Sequence, residues 1–120
     1  MNMLYEFVQS KQFTKEFDSL GLDDEQLRQL ELEIMKDPKR FPVIPKTGRL
    51  RKMRWKFNNK GKRGGARVCY VDFEEQETIY LLLFYAKNEK EDLTDGEKKE
   101  LKLYIDELEQ ELKAINSNRE

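Results

Sequence analysis

The stretch Leu50-Arg51-Lys52-Met53-Arg54-Trp55-Lys56-Phe57 decides how this chain is read. Apolar and cationic residues alternate along it. Met53, Trp55 and Phe57 fall to one side, and Lys52, Arg54 and Lys56 fall to the other. A strand with this pattern puts one face into a core and offers a row of positive charge on the other. Asn58–Gly65, with three glycines and the cations Lys60, Lys62 and Arg63, predicts a flexible turn after it. Ala66–Phe73 is then the next strand. A polar turn, Glu74–Glu77, leads to Ile79–Ala86, whose nearly continuous apolar run predicts a central strand covered on both faces. These three strands form an antiparallel meander.

Upstream, Tyr5–Gln9 alternates as a short first strand. Ser10 is placed to cap a helix with Phe13, Phe17 and Leu20 on one stripe, and Gly21 stops it. Asp23 or Asp24 caps a second helix carrying Leu27, Leu30 and Ile34, which must end before Pro38. Phe41–Gly48, with two prolines and a glycine, is a loop. Downstream, Thr94-Asp95-Gly96-Glu97 is a capping box opening a long helix. Its apolar stripe is Leu101, Tyr104, Ile105, Leu108, Leu112 and Ile115, and Asn116–Glu120 is expected to fray. The expected fold is α+β. A helical hairpin packs on an antiparallel sheet and a C-terminal helix follows, all within a single domain over residues 1–120.

Composition excludes several chemistries. The chain has no histidine, so no imidazole can act as acid, base or metal ligand. A single cysteine, Cys69, excludes an internal disulfide and suits a reducing, cytoplasmic setting. No run of 18 apolar residues is present to span a membrane, and Met1–Lys11 does not read as a signal peptide.

The net charge of −1 conceals a segregation. Between Pro38 and Val71 stand 12 Lys and Arg and no acid, leaving 11 cations against all 24 acids elsewhere. Apolar residues interleave with this block, so it is a folded cationic surface rather than a tail. Unbroken like charge repels itself unless an anion binds it, which points to a nucleic acid. Lys60, Lys62 and Arg63 on the glycine turn suit phosphate contacts. Gly61, Gly64 and Gly65 would let backbone approach a phosphate. Trp55, Phe57, Tyr70 and Tyr85 are aromatic groups able to stack on bases, although Trp55 and Phe57 share the core face.

The same cluster admits RNA cleavage without histidine. Arginine keeps its proton, so Arg54 and Arg67 suit charge stabilisation. A lysine serves as base only if its pKa falls from about 10.4, as like-charge crowding favours. Lys52 and Lys87 are the lysines placed for that role. On residue types alone, a plain RNA- or DNA-binding protein fits equally well.

Three runs carry a resemblance in combination: Gly48–Arg54, Lys60–Tyr70 with Gly64-Gly65-Ala66-Arg67, and Leu81–Leu93 with Tyr85-Ala86-Lys87-Asn88-Glu89 and Asp92-Leu93. Together they resemble the HigB branch of the RelE/ParE toxin superfamily. The resemblance implies the toxin of a type II toxin–antitoxin pair, a metal-independent and cofactor-free endoribonuclease that cuts mRNA on the ribosome. The products would be a 2′,3′-cyclic phosphate and a 5′-OH. Lys52 and Arg54 fall on the family's two second-strand cations, Arg67 on the arginine opening the third strand, and Lys87 on the basic position ending the last strand. These four are the expected catalytic residues. Arg49, Arg51, Lys56, Lys60, Lys62, Arg63 and Asn88 are the expected RNA or ribosome contacts. RelE itself has an arginine at the place of Asn88 and a tyrosine near Thr94. The implied partners are a HigA-like helix-turn-helix antitoxin, the ribosome and mRNA, with operator DNA contacted only through the antitoxin. The alternatives are DNA gyrase inhibition, as in the ParE branch, and a non-catalytic nucleic-acid-binding relative.

Overall fold

The computed structural model describes residues 5–59, 61–86 and 92–118, without the side chains of residues 59, 62, 116 and 118. The chain order is β1 (Glu6–Gln9), α1 (Lys11–Ser19), α2 (Asp24–Lys36), β2 (Arg51–Asn59), β3 (Lys62–Phe73), a single 3-10 turn (Glu74–Gln76), β4 (Thr78–Ala86) and α3 (Asp95–Asn118).

Local signals set the helix starts. Ser10 Oγ accepts from Phe13 N at 3.0 Å and donates to the Leu82 carbonyl at 2.6 Å, so one hydroxyl caps α1 and ties it to β4. Asp23, rather than Asp24, caps α2 in a reciprocal box with Gln26. Gly21, at φ +71°, lets the chain turn between the two helices. At the start of α3, Glu97 N donates to Thr94 Oγ1 and Thr94 N to Glu97 Oε1, as the capping box requires. α3 continues to Asn118, beyond the Asn116 at which the sequence predicts fraying, and residues 119–120 lie outside the described part.

The sheet order is β1-β4-β3-β2. β2, β3 and β4 form the expected antiparallel meander, but β1 joins β4 in parallel, so the sheet is mixed. The hydrogen-bonding direction of a four-residue strand is not written in its alternation. It is set here by α1, which returns the chain across the sheet. Beyond β1, the Gln12 amide takes over at the β4 edge. Its Nε2 donates to the Phe84 carbonyl and its Oε1 accepts from Phe84 N, at 2.9 and 3.0 Å.

Helices lie on both faces. On one, Phe13, Phe17, Leu30 and Ile34 of the helical hairpin pack on Met53, Trp55, Val68, Tyr70, Ile79, Leu81 and Phe84. On the other, Ile105 and Leu108 of α3 pack on Leu50, Cys69, Val71, Phe73, Leu82 and Tyr85. Each large side chain so buried contributes roughly 1.5–3 kcal/mol. Coverage of β4 from both sides explains its apolar run. Leu20, Tyr104 and Ile115, expected within apolar stripes, are largely exposed.

One irregularity redirects the end of β4. Cys69 pairs with Leu83 and Tyr70 with Leu81, so Leu82 is an extra residue on that strand. Such a bulge reverses the facing of every later side chain. Ile79 and Leu81 point to the helical hairpin. Strict alternation would send Tyr85 there too, whereas the bulge turns it to the α3 face.

Candidate functional site

The α3 face of the sheet changes character along its length. At one end Leu50, Cys69, Val71, Phe73 and Leu82 are roofed by α3. Towards the β2–β3 hairpin the same face carries Lys52, Arg54 and Lys56 on β2, and Arg63 and Arg67 on β3. The pairing extends to Asn59↔Lys62, with Gly61 at φ +83°. Most of the stretch read as a flexible glycine turn is therefore strand, and the Arg63 position is set by the ladder. Arg54 stands directly across from Arg67, and Arg67 directly across from Tyr85. Lys52 lies across from Cys69 and Lys56 across from Gly65.

Gly64 also does something other than expected. A Cβ there would lie 2.6 Å from Phe57 Cζ, so this glycine lets the Phe57 ring come close to the β3 backbone. Phe57 in turn packs on Trp55, with ring centroids 5.4 Å apart, and Trp55 stacks on Phe17. Trp55 and Phe57 thus belong to the core face, as their spacing indicates. Tyr70 is buried too, its hydroxyl donating to the Pro38 carbonyl at 2.6 Å. Tyr85 is buried as well, so neither offers an open stacking face for a base.

Among the described residues the fold divides the cations of this block into two groups. Lys39 pairs with Glu74, Arg40 with Glu33, and Lys46 with Asp95. Arg49 pairs with Glu109 of α3, donates to the Asp72 carbonyl, and lies 4.9 Å over the Phe73 ring. Arg51 faces the helical hairpin and donates to the Lys39 and Phe41 carbonyls at 3.0 and 2.7 Å. Arg49 and Arg51, expected as RNA contacts, are therefore engaged in holding the scaffold. Their alternation and charge resemble those of their neighbours, and only the partners differ. Arg54, Lys56, Arg63 and Arg67 have no carboxylate within ion-pair distance among the described residues. Lys52 lies 3.5 Å from the Asp92 carboxylate. Lys60, Lys87 and Asn88 lie outside the described residues, as does the Lys62 side chain.

A cleft of about 820 Å³ is lined by Gln29, Phe57, Arg54, Lys56, Arg63 and Arg67, among others. Another cavity of about 600 Å³, between β4 and the start of α3, is mainly apolar and bordered by Glu97 and Glu100. Those acids disfavour an anion there, whereas the cations without carboxylate partners line the first cleft. Cys69 is not a nucleophile in this setting. Burial, against the weaker pull of Lys52, pushes its thiol up to about 12. Among the described residues no group of three or more His, Cys, Asp or Glu could hold a metal ion, and no helix is long and apolar enough to cross a membrane.

Guanidinium groups fixed on neighbouring strands can neutralise a phosphate and stabilise extra negative charge as it develops. Sequence pattern points to Lys52, Arg54 and Arg67 as a group, and the ladder brings them together on one face. The same pattern offers Tyr85 only as a base-stacking group. Residues 6–118 match the family model described as RelE toxin of RelE / RelB toxin-antitoxin system.

Proposed function

The chain belongs to the RelE toxin family of toxin–antitoxin systems, and from that premise we propose that it is a ribosome-dependent endoribonuclease that halts translation by cutting mRNA. The observation that carries this reading is the row of Arg54, Lys56, Arg63 and Arg67, un-neutralised among the described residues. Arg49, Arg51 and Lys52, close to it in sequence, each have a protein partner. Opposed like charges cost stability unless an anion sits between them.

In this reading the RNA 2′-OH loses its proton and its oxygen attacks the adjacent phosphorus. The new 2′-O–P bond forms as the P–O5′ bond breaks, and the 5′-oxygen takes up a proton. Arg54 and Arg67 stabilise the negative charge of the five-coordinate phosphorus. Neither can exchange a proton at neutral pH. Lys52 is the proton-exchanging group in the described part of the site, and Lys87 is its counterpart from the family pattern. Arg63 and Lys56 hold flanking phosphates. An antitoxin of the helix-turn-helix, HigA-like kind neutralises the toxin, and the pair contacts operator DNA through the antitoxin.

The test is induction of wild type and Arg67→Ala in cells, with mRNA ends mapped on translating ribosomes. Wild type should yield new 5′-OH ends and growth arrest, and Arg67→Ala should cut at least ~100-fold more slowly. Intact message with inhibited supercoiling after wild-type induction would replace this reading with gyrase inhibition. Intact message with unaffected supercoiling would leave a non-catalytic nucleic-acid binder.

A further inference from the structure

Two polar atoms beside the cationic row lack nitrogen or oxygen partners among the described residues. Tyr85, Arg67 and Arg54 form one rung across β4, β3 and β2 on the α3 face. Tyr85 is only 7% exposed, and it stands between the apolar cavity under α3 and a cleft it lines with Lys52, Asp92 and Leu93. Among the described residues, neither Tyr85 Oη nor Arg67 Nε has a nitrogen or oxygen hydrogen-bond partner, and both atoms are buried; the Cys69 thiol beside the phenol is only a weak acceptor. Folded proteins satisfy the great majority of such groups, because an orphan costs stability. Two orphans on register partners, next to cations without carboxylate partners, are explained by a ligand better than by packing.

The chemistry of the two atoms says what kind of ligand. Arginine Nε–H can only donate. The phenol donates as long as it keeps its proton; burial first, and then the neighbouring Cys69 thiol, pushes Tyr85 up to about 12, with the Arg67 charge pulling the other way. Two donors on one rung, with the Lys52 ammonium on the adjacent one, select an oxyanion. The Asp92 carboxylate, 3.5 Å from Lys52, borders this cleft, and a phosphate bound there would have to displace it from the lysine.

We propose that Tyr85 Oη and Arg67 Nε form a donor pair that binds one non-bridging phosphate oxygen of RNA, making Tyr85 a substrate-binding residue of this site. The proposal rests on the RNA-directed reading above, but it concerns binding and assigns no proton transfer. The β4 bulge at Leu82 is the device that brings the phenol to the cationic face.

The experiment uses the full chain and a 12-nucleotide single-stranded RNA with 2′-O-methyl at every sugar, which cannot be cleaved. Affinity is measured by fluorescence anisotropy for wild type, Tyr85→Phe, Arg67→Lys, the double variant and Tyr104→Phe. Tyr85→Phe should weaken binding about tenfold, as expected for a lost hydrogen bond to a charged group. Its thermal midpoint without RNA should equal or exceed that of wild type, because it removes an unsatisfied hydroxyl. The double variant should lose less than the product of the single losses, because the two donors share one oxygen, and Tyr104→Phe should bind normally. Unchanged affinity in Tyr85→Phe, a lowered midpoint in the free protein, or losses that simply multiply would each overturn the proposal. If wild type cuts no message yet Tyr85→Phe still weakens the probe, the nuclease reading fails and the donor pair stands. If cleavage is normal in both proteins with unchanged probe affinity, the donor pair fails and the nuclease reading stands.

Discussion

Replacing Arg54 by glutamine should make this protein more stable and less toxic at once. Arg54 and Arg67 are direct cross-strand partners, so their like charges oppose each other on one face. Two unit charges about 6 Å apart repel by roughly 0.7 kcal/mol at the dielectric of water. That agrees with the roughly 0.2–1 kcal/mol by which opposed pairs in sheets differ from neutral ones. Arg54 is exposed while Arg67 is partly buried, so the water-like value is the appropriate one. A chain of 120 residues unfolds with an entropy near ~0.25 kcal/mol/K, so ~0.7 kcal/mol raises the midpoint by about 3 °C. The gain should shrink in 1 M salt, where the screening length falls to about 3 Å. Thermal unfolding at low and high salt reads the stability, and mRNA cleavage with growth arrest reads the function, which should fall by ~100-fold or more. A lower midpoint, a gain indifferent to salt, or undiminished toxicity would refute the reasoning.

Four further outcomes rest on named residues. Gly64→Ala should destabilise by roughly 1–3 kcal/mol through the 2.6 Å approach to Phe57, and adding Phe57→Leu should recover part of it in urea unfolding. Arg49→Met should cost roughly 1 kcal/mol of stability while leaving the salt dependence of RNA affinity unchanged, because Arg49 is held by Glu109 and Asp72. Lys56→Ala should instead leave stability near wild type and reduce the slope of log affinity against log salt by about 0.7. Asp72→Asn should stabilise the protein at pH 7. Burial first, and then Glu74, raises the Asp72 carboxyl above its unfolded value. The folded state therefore binds its proton at higher pH, and wild type gains stability as pH falls through the folded value until the unfolded value near ~3.9 is passed. The gap between variant and wild type in urea midpoint should narrow as pH falls from 7 towards the unfolded value near ~3.9, and a gap constant over that whole range would refute the assignment.

Much of the molecule is legible before any fold is known, and the residues show why. Alternation in Leu50–Phe57 reports burial directly, because successive strand side chains point to opposite faces. Thr94 with Glu97, Ser10 with Phe13, and Asp23 with Gln26 satisfy helix ends within four residues, so the sequence contains both partners. What escapes is non-local. Glu109 is 60 residues from Arg49, so nothing near Arg49 says that its charge is already met. The parallel pairing of β1 depends on where α1 and α2 return the chain. Gly64 reads as loop flexibility until the Phe57 ring is seen above it.

By itself the sequence determined the class of fold, the segregation of charge, the absence of histidine and the group Lys52, Arg54 and Arg67, because these depend on composition and on periods of two and 3.6 residues. Only the tertiary structure decided which of the described cations stay un-neutralised and that Tyr85 joins them. Ion pairing is settled by through-space distance, and a single inserted residue at Leu82 reverses a facing that alternation alone would have set the other way.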